Sequence, residues 1–130
     1  MSRCVRAEIE RDGRRSCLGA DLSADDIAAF VRNLEAELDA TLSLSRIGSE
    51  GRLLLAVSRG QAFLGLELPE GLLQYVVASS QVGGTQRFRV GGQEVDIESR
   101  YVLDMASAAT VVLEWLADPT MPSSGDWERQ

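Results

Sequence analysis

The stretch Arg52-Leu53-Leu54-Leu55-Ala56-Val57-Ser58-Arg59-Gly60-Gln61-Ala62-Phe63-Leu64-Gly65-Leu66-Glu67-Leu68 decides the fold. Residues 52–58 are apolar at five successive positions, Leu53 to Val57. A short unbroken apolar run of this kind reads as a strand covered on both faces, and therefore as a central one. Residues 62–68 form the next strand, with Leu64, Leu66 and Leu68 on one face. Upstream, residues 41–47 set Leu42 and Leu44 between Thr41, Ser43 and Ser45, and Gly48-Ser49-Glu50-Gly51 makes the turn. Downstream, Pro69-Glu70-Gly71 is a loop, and Leu73, Tyr75 and Val77 align in a strand over 72–78. Connections this short require antiparallel neighbours, because a parallel crossover needs a dozen or more residues.

Beyond this block, residues 85–90 and 94–98 read as a hairpin about Gly91-Gly92. A two-residue turn pairs Arg89 with Glu94, Phe88 with Val95 and Arg87 with Asp96, giving one face a cross-strand charge ladder. A helix follows over 104–117. Asp104 is its expected N-cap, Ala108, Val112, Trp115 and Leu116 form its buried stripe, and Asp118-Pro119 ends it. Towards the N-terminus, Ser23-x-x-Asp26 resembles a capping box. Ile27, Phe30, Val31, Leu34 and Leu38 recur at helical spacing, so a helix is expected from Ser23 to about Asp39. Residues 4–10 alternate Val5, Ala7 and Ile9 with Arg6, Glu8 and Glu10, the period of a half-buried strand. A turn at Asp12-Gly13 leads to a short return strand over 15–19 and pairs Cys17 with Glu8. The expected class is α+β: a meandering antiparallel sheet with one early and one C-terminal helix packed on it. All 130 residues are expected to form a single domain, with 120–130 as a tail.

The composition removes several function classes. Histidine is absent, so the commonest general base and metal ligand are missing. Cys4 and Cys17 are too few for a zinc site and would not face each other across the hairpin; they read as reduced, half-buried thiols rather than a disulfide. No cofactor and no enzymatic activity are expected. Phosphate-loop and Gly-x-Ser-x-Gly patterns are missing, and Gly83-Gly84 and Gly91-Gly92 read as turn glycines. No apolar run reaches membrane-spanning length, and the first residues do not form a secretion signal, so a cytoplasmic location is expected. The net charge of −7 is unevenly placed: residues 1–65 hold 9 Arg against 10 Asp/Glu, and residues 66–130 hold 4 Arg against 10. That polarity opposes nucleic-acid binding and suits a basic protein partner, and no membrane partner is expected. Glu94, Asp96 and Glu98 share one strand face. They read as a solvated face partly neutralised by Arg87 and Arg89, with a metal or acid/base cluster as the functional alternative; an acidic docking strip for a basic partner is compatible with the solvated face. Asp126 and Trp127 stand in a polar tail; Trp127 either folds back onto the core or anchors a partner.

The C-terminal stretch carries a resemblance. Phe88-x-Val90-Gly91-Gly92 is followed by Tyr101-Val102-Leu103, an Ala-rich helix with Ala106, Ala108, Ala109, Glu114, Trp115 and Leu116, then Pro122 and Trp127. This pattern resembles the end of the immunity protein 1 family of bacterial polymorphic toxin systems, and the strands at 52–58, 61–68 and 72–78 fit the family's hairpin order. The tail departs from the family's pattern in lacking a Thr-Gly pair after the helix and in having one extra residue before the Trp. The resemblance spans about residues 40–127. It implies an α+β cytoplasmic protein that binds a cognate toxin, often a nucleic-acid deaminase and sometimes a nuclease, and covers its active site. Trp127 matches the family's tryptophan. The partner-binding residues expected on this basis, together with charge and aromatic placement, are Glu94, Asp96, Glu98, Asp126 and Trp127. The free protein is expected as a monomer or weak homodimer. An acidic, dimeric, secretion-chaperone-like binding module is the alternative.

Overall fold

A computed structural model describes residues 5–11, 14–19, 23–34, 39–46, 51–67, 73–77, 84–90, 93–117 and 126–129. In chain order the elements are β1 (Val5–Arg11), β2 (Arg14–Gly19), α1 (Ala24–Asn33), β3 (Asp39–Arg46), β4 (Arg52–Ser58), β5 (Gln61–Glu67) and β6 (Leu73–Val77). After them come β7 (Thr85–Val90), β8 (Gln93–Glu98), β9 (Leu103–Asp104), α2 (Met105–Ala117) and β10 (Asp126–Arg129). A single 3-10 turn over Ser99–Tyr101 precedes β9. The main sheet runs β10-β6-β5-β4-β3-β1-β2, with β9 added beside β5. Its pairings are all antiparallel. The α+β architecture with an early and a C-terminal helix matches the reading of the sequence.

β4 occupies the middle of this sheet, and the reason is visible in its side chains. Leu53, Leu55 and Val57 are fully buried on one face. Register sets them opposite Leu44, Leu42 and Ala40 of β3 and opposite Leu66, Leu64 and Ala62 of β5. Both helices cover this face: Ile27, Val31 and Leu34 from α1 join Ala108, Val111, Val112, Trp115 and Leu116 from α2 in the same core. Each buried leucine here contributes about 1.5–3 kcal/mol through removal of its apolar surface from water. On the opposite face, Ala56 belongs to a second, smaller core with Phe63, Phe88, Ile97, Tyr101 and Val102. The strand is thus covered on both sides, as its unbroken apolar run requires.

The register of the expected hairpin is also observed, with Arg87 opposite Asp96, Phe88 opposite Val95 and Arg89 opposite Glu94. Its placement differs from a simple meander. β7 and β8 form a separate two-stranded sheet that stacks on the second face of the main sheet. The alternation explains why: Phe88 and Ile97 are buried and Val90 and Val95 half-buried, while Arg87, Arg89, Glu94, Asp96 and Glu98 are exposed. One ribbon face is apolar enough to need a cover, and Ala56 and Phe63 provide it.

Two helix boundaries show what the sequence pattern could and could not specify. α1 begins at its capping box, where Asp26 N–H donates to Ser23 Oγ at 3.1 Å and Ser23 N–H donates to Asp26 Oδ2 at 3.3 Å. It ends at Asn33 with Leu34 as C-cap, earlier than the expected Asp39. Asp39 instead opens β3, paired with Ser58 across the ladder, and its carboxylate accepts from Ser58 Oγ at 2.9 Å. The sheet claims this residue over the local helical periodicity; Leu38 lies outside the described residues. In the N-terminal hairpin Cys17 sits opposite Glu8 and is exposed rather than half-buried, and Cys4 lies outside the described residues. No helix among the described residues is long and apolar enough to cross a membrane.

Asp104 caps α2 as expected: Ser107 N–H donates to its carboxylate at 2.7 Å. That bond, with a further one from the Ser107 side chain, holds the Asp104 carboxyl below its ordinary value. A carboxyl lowered in the folded state stabilises the fold above its unfolded pKa and loses that contribution as pH falls through the folded one. Asp104→Ala is therefore expected to lower the unfolding midpoint at pH 7. The gap to the parent should narrow below about pH 4, followed by thermal unfolding across a pH series. An equal gap at all pH values would contradict the charged cap.

Candidate functional site

The hairpin is the feature that shapes the surface. Its anchor is Phe88, fully buried, whose ring meets Phe63 edge-on at a centroid distance of 5.1 Å and 84°. Thr41 Oγ1 of β3 donates to the Arg89 carbonyl at 3.4 Å. The base of the hairpin is closed by Ser99 N–H donating to the Gly84 carbonyl at 3.0 Å. Held this way, the ribbon stands as a ridge over β3, β4 and β5, with a cleft on either side.

The first cleft, about 470 Å³, has an apolar interior. Leu54 and Phe63 form its floor, and Val90, Val95 and Ile97 of the hairpin and Tyr101 form its wall. Carboxylates stand at its rim: Glu67 from the sheet, and Asp96 and Glu98 from β8. Each has a cationic neighbour. Arg52 donates to Glu67 at 2.8 Å, Arg87 lies 3.5 Å from Asp96, and Arg100 lies 3.2 Å from Glu98. Arg100 also sits 4.7 Å above the Tyr101 ring and donates to its hydroxyl at 2.7 Å. These pairs are solvent-exposed, so each contributes about 0–1 kcal/mol and opens readily to a competing partner.

The second cleft, about 520 Å³, lies on the other side of the ridge and is polar. Arg59 of the β4–β5 turn and Arg87 and Arg89 of β7 line it, along with Glu94. Glu94 lies 3.5 Å from Arg87.

The three β8 carboxylates therefore share one exposed face but serve different surroundings. Asp96 and Glu98 border the apolar cleft, and Glu94 borders the polar one. No cluster of three or more metal-ligating side chains occurs among the described residues. Asp126 and Trp127 lie elsewhere, on β10 at the edge of the main sheet, where the backbone of Trp127 is opposite Val76 of β6. The tail thus folds back as an edge strand, which its polar composition did not announce.

Arg52, Leu54, Glu67 and Tyr101 were missed from the sequence as site residues. The unbroken apolar run of β4 hid which residues face which side, and the hairpin's seat on that side exists only in three dimensions. The pairing of Arg52 with Glu67 follows from the register and could have been read from the short β4–β5 connection.

No protein-family model matches this chain, and a search of curated proteins finds no match.

Proposed function

We propose that this protein is a cytoplasmic immunity protein that binds a cognate polymorphic toxin, a nucleic-acid deaminase or nuclease, and inhibits it by covering its active site, with no catalysis of its own. The observation that carries the reading is the apolar cleft with Glu67, Asp96 and Glu98 at its rim. A toxin that acts on nucleic acid presents cationic side chains at its working surface. An apolar anchor from that surface fits the cleft, and its flanking cations meet the rim carboxylates in place of Arg52, Arg87 and Arg100. Exchange of one cationic partner for another keeps the carboxylates paired on binding and limits the desolvation cost. The net charge of −7 adds long-range attraction for a basic partner. The C-terminal resemblance to immunity protein 1 points the same way. A tight complex would bury about 1,200–2,000 Å² around a few anchors, and the ridge with its two clefts offers relief for such contacts.

Deletion of the gene in its native cell provides the test. Cells carrying the adjacent toxin gene are expected to lose viability without this protein and to recover when it is supplied in trans. Equal growth with and without it would overturn the proposal. Recovery of a stable homodimer bound to an unfolded exported protein would favour a secretion-chaperone role instead.

A further inference from the structure

The polar cleft has its own chemistry, independent of the toxin reading. Arg59, Arg87 and Arg89 line it together with Gln61, Gln86 and Ser58. Two carboxylates are also present, and both are engaged: Asp39 accepts from Ser58 Oγ at 2.9 Å, and Glu94 lies 3.5 Å from Arg87. The guanidinium groups of Arg59 and Arg89 have no carboxylate partner among the described residues, in a chain with 20 acidic side chains and 13 arginines. Arg59 carries a second signal. It is the one described non-glycine residue with positive φ, at 52°, followed by Gly60 at 80°. Two left-handed residues between antiparallel strands form the type I′ turn, whose first position favours Asn, Asp or Gly. A side chain such as arginine is strained there, and strain of this kind collects at functional positions. The backbone thus holds an ill-suited residue where it lines the cleft.

We infer that this cleft is an oxyanion site, with Arg59 and Arg89 receiving the phosphate or carboxylate oxygens of a ligand and the Gln61 and Gln86 amides adding donors. Guanidinium forks match both oxyanions in a bidentate way. Arg87, already shared with Glu94 and Asp96, supplies field rather than a dedicated bond.

The test uses the full chain, with inorganic phosphate and a hexaglutamate peptide as probes. Backbone amide shifts of residues 58–61 and 86–89 are followed by NMR. Saturable shifts confined to these residues are expected with at least one probe, and the tighter probe identifies phosphate or carboxylate as the ligand group. Arg59→Asn should raise the melting temperature, since it relieves the turn, yet weaken the tighter probe about tenfold, the loss expected when one charged hydrogen bond goes. Arg89→Gln should weaken it similarly with the melting temperature unchanged. Linear shifts spread over the surface with both probes, or undiminished binding in both variants, would overturn the assignment.

Discussion

Phe88→Ala is expected to cost about 3–5 kcal/mol of folding stability, as truncation of a fully buried aromatic side chain generally does. Phe88 is the centre of the smaller core and its ring meets Phe63 at 5.1 Å. Without it the hairpin keeps Val90, Val95 and Ile97 as apolar contacts, against a void that the sheet cannot close because Ala56 is small. The effect should be unevenly spread. Amide exchange in β7 and β8 should accelerate far more than in β3, β4 and β5, whose leucines belong to the helix-covered core. Both clefts lose one wall in the process, so the proposed toxin protection should fail before the main sheet unfolds. Chemical denaturation with site-resolved exchange measures this; a loss under about 1 kcal/mol would mean that the hairpin is held by something other than its buried aromatic.

The second large effect concerns association. Asp96→Arg with Glu98→Arg replaces two rim carboxylates of the apolar cleft by cations. Both side chains are exposed, so folding stability should change little. Association with the proposed toxin partner should slow by about tenfold or more at low salt, and its dependence on ionic strength should flatten. Stopped-flow mixing at several salt concentrations reads both. An unchanged on-rate with unchanged salt slope would move the contact surface off the hairpin.

How far the sequence reaches is clear from individual residues. The central place of β4, the register of β7 with β8, the capping box at Ser23 and the cap at Asp104 were all legible, because each depends on spacing within a few residues. Asp39 was misplaced because the decision between helix and strand was made by a partner 19 positions away, Ser58. The tail's folding back was one of the two readings of Trp127, but its strand was not legible for the same reason: β10 is a strand through its pairing with β6, about fifty residues earlier in the chain. For the site, the alternation of β8 showed that Glu94, Asp96 and Glu98 share a face. It did not show that Asp96 and Glu98 border an apolar cleft while Glu94 borders a cluster of arginines. That division arises from stacking the ribbon across the sheet, which local pattern does not encode. The left-handed backbone at Arg59 was equally hidden, since an Arg-Gly pair carries a weaker turn signal than Asn-Gly.

The most direct measurement is a titration of the purified cognate toxin's activity with this protein. Occlusion of a working surface predicts a linear fall to zero at one equivalent, and full activity once the complex is dissociated and the toxin recovered unaltered. Loss of activity at far less than one equivalent, or a toxin recovered chemically changed, would mean that the protein acts as a catalyst and that coverage is not its mechanism.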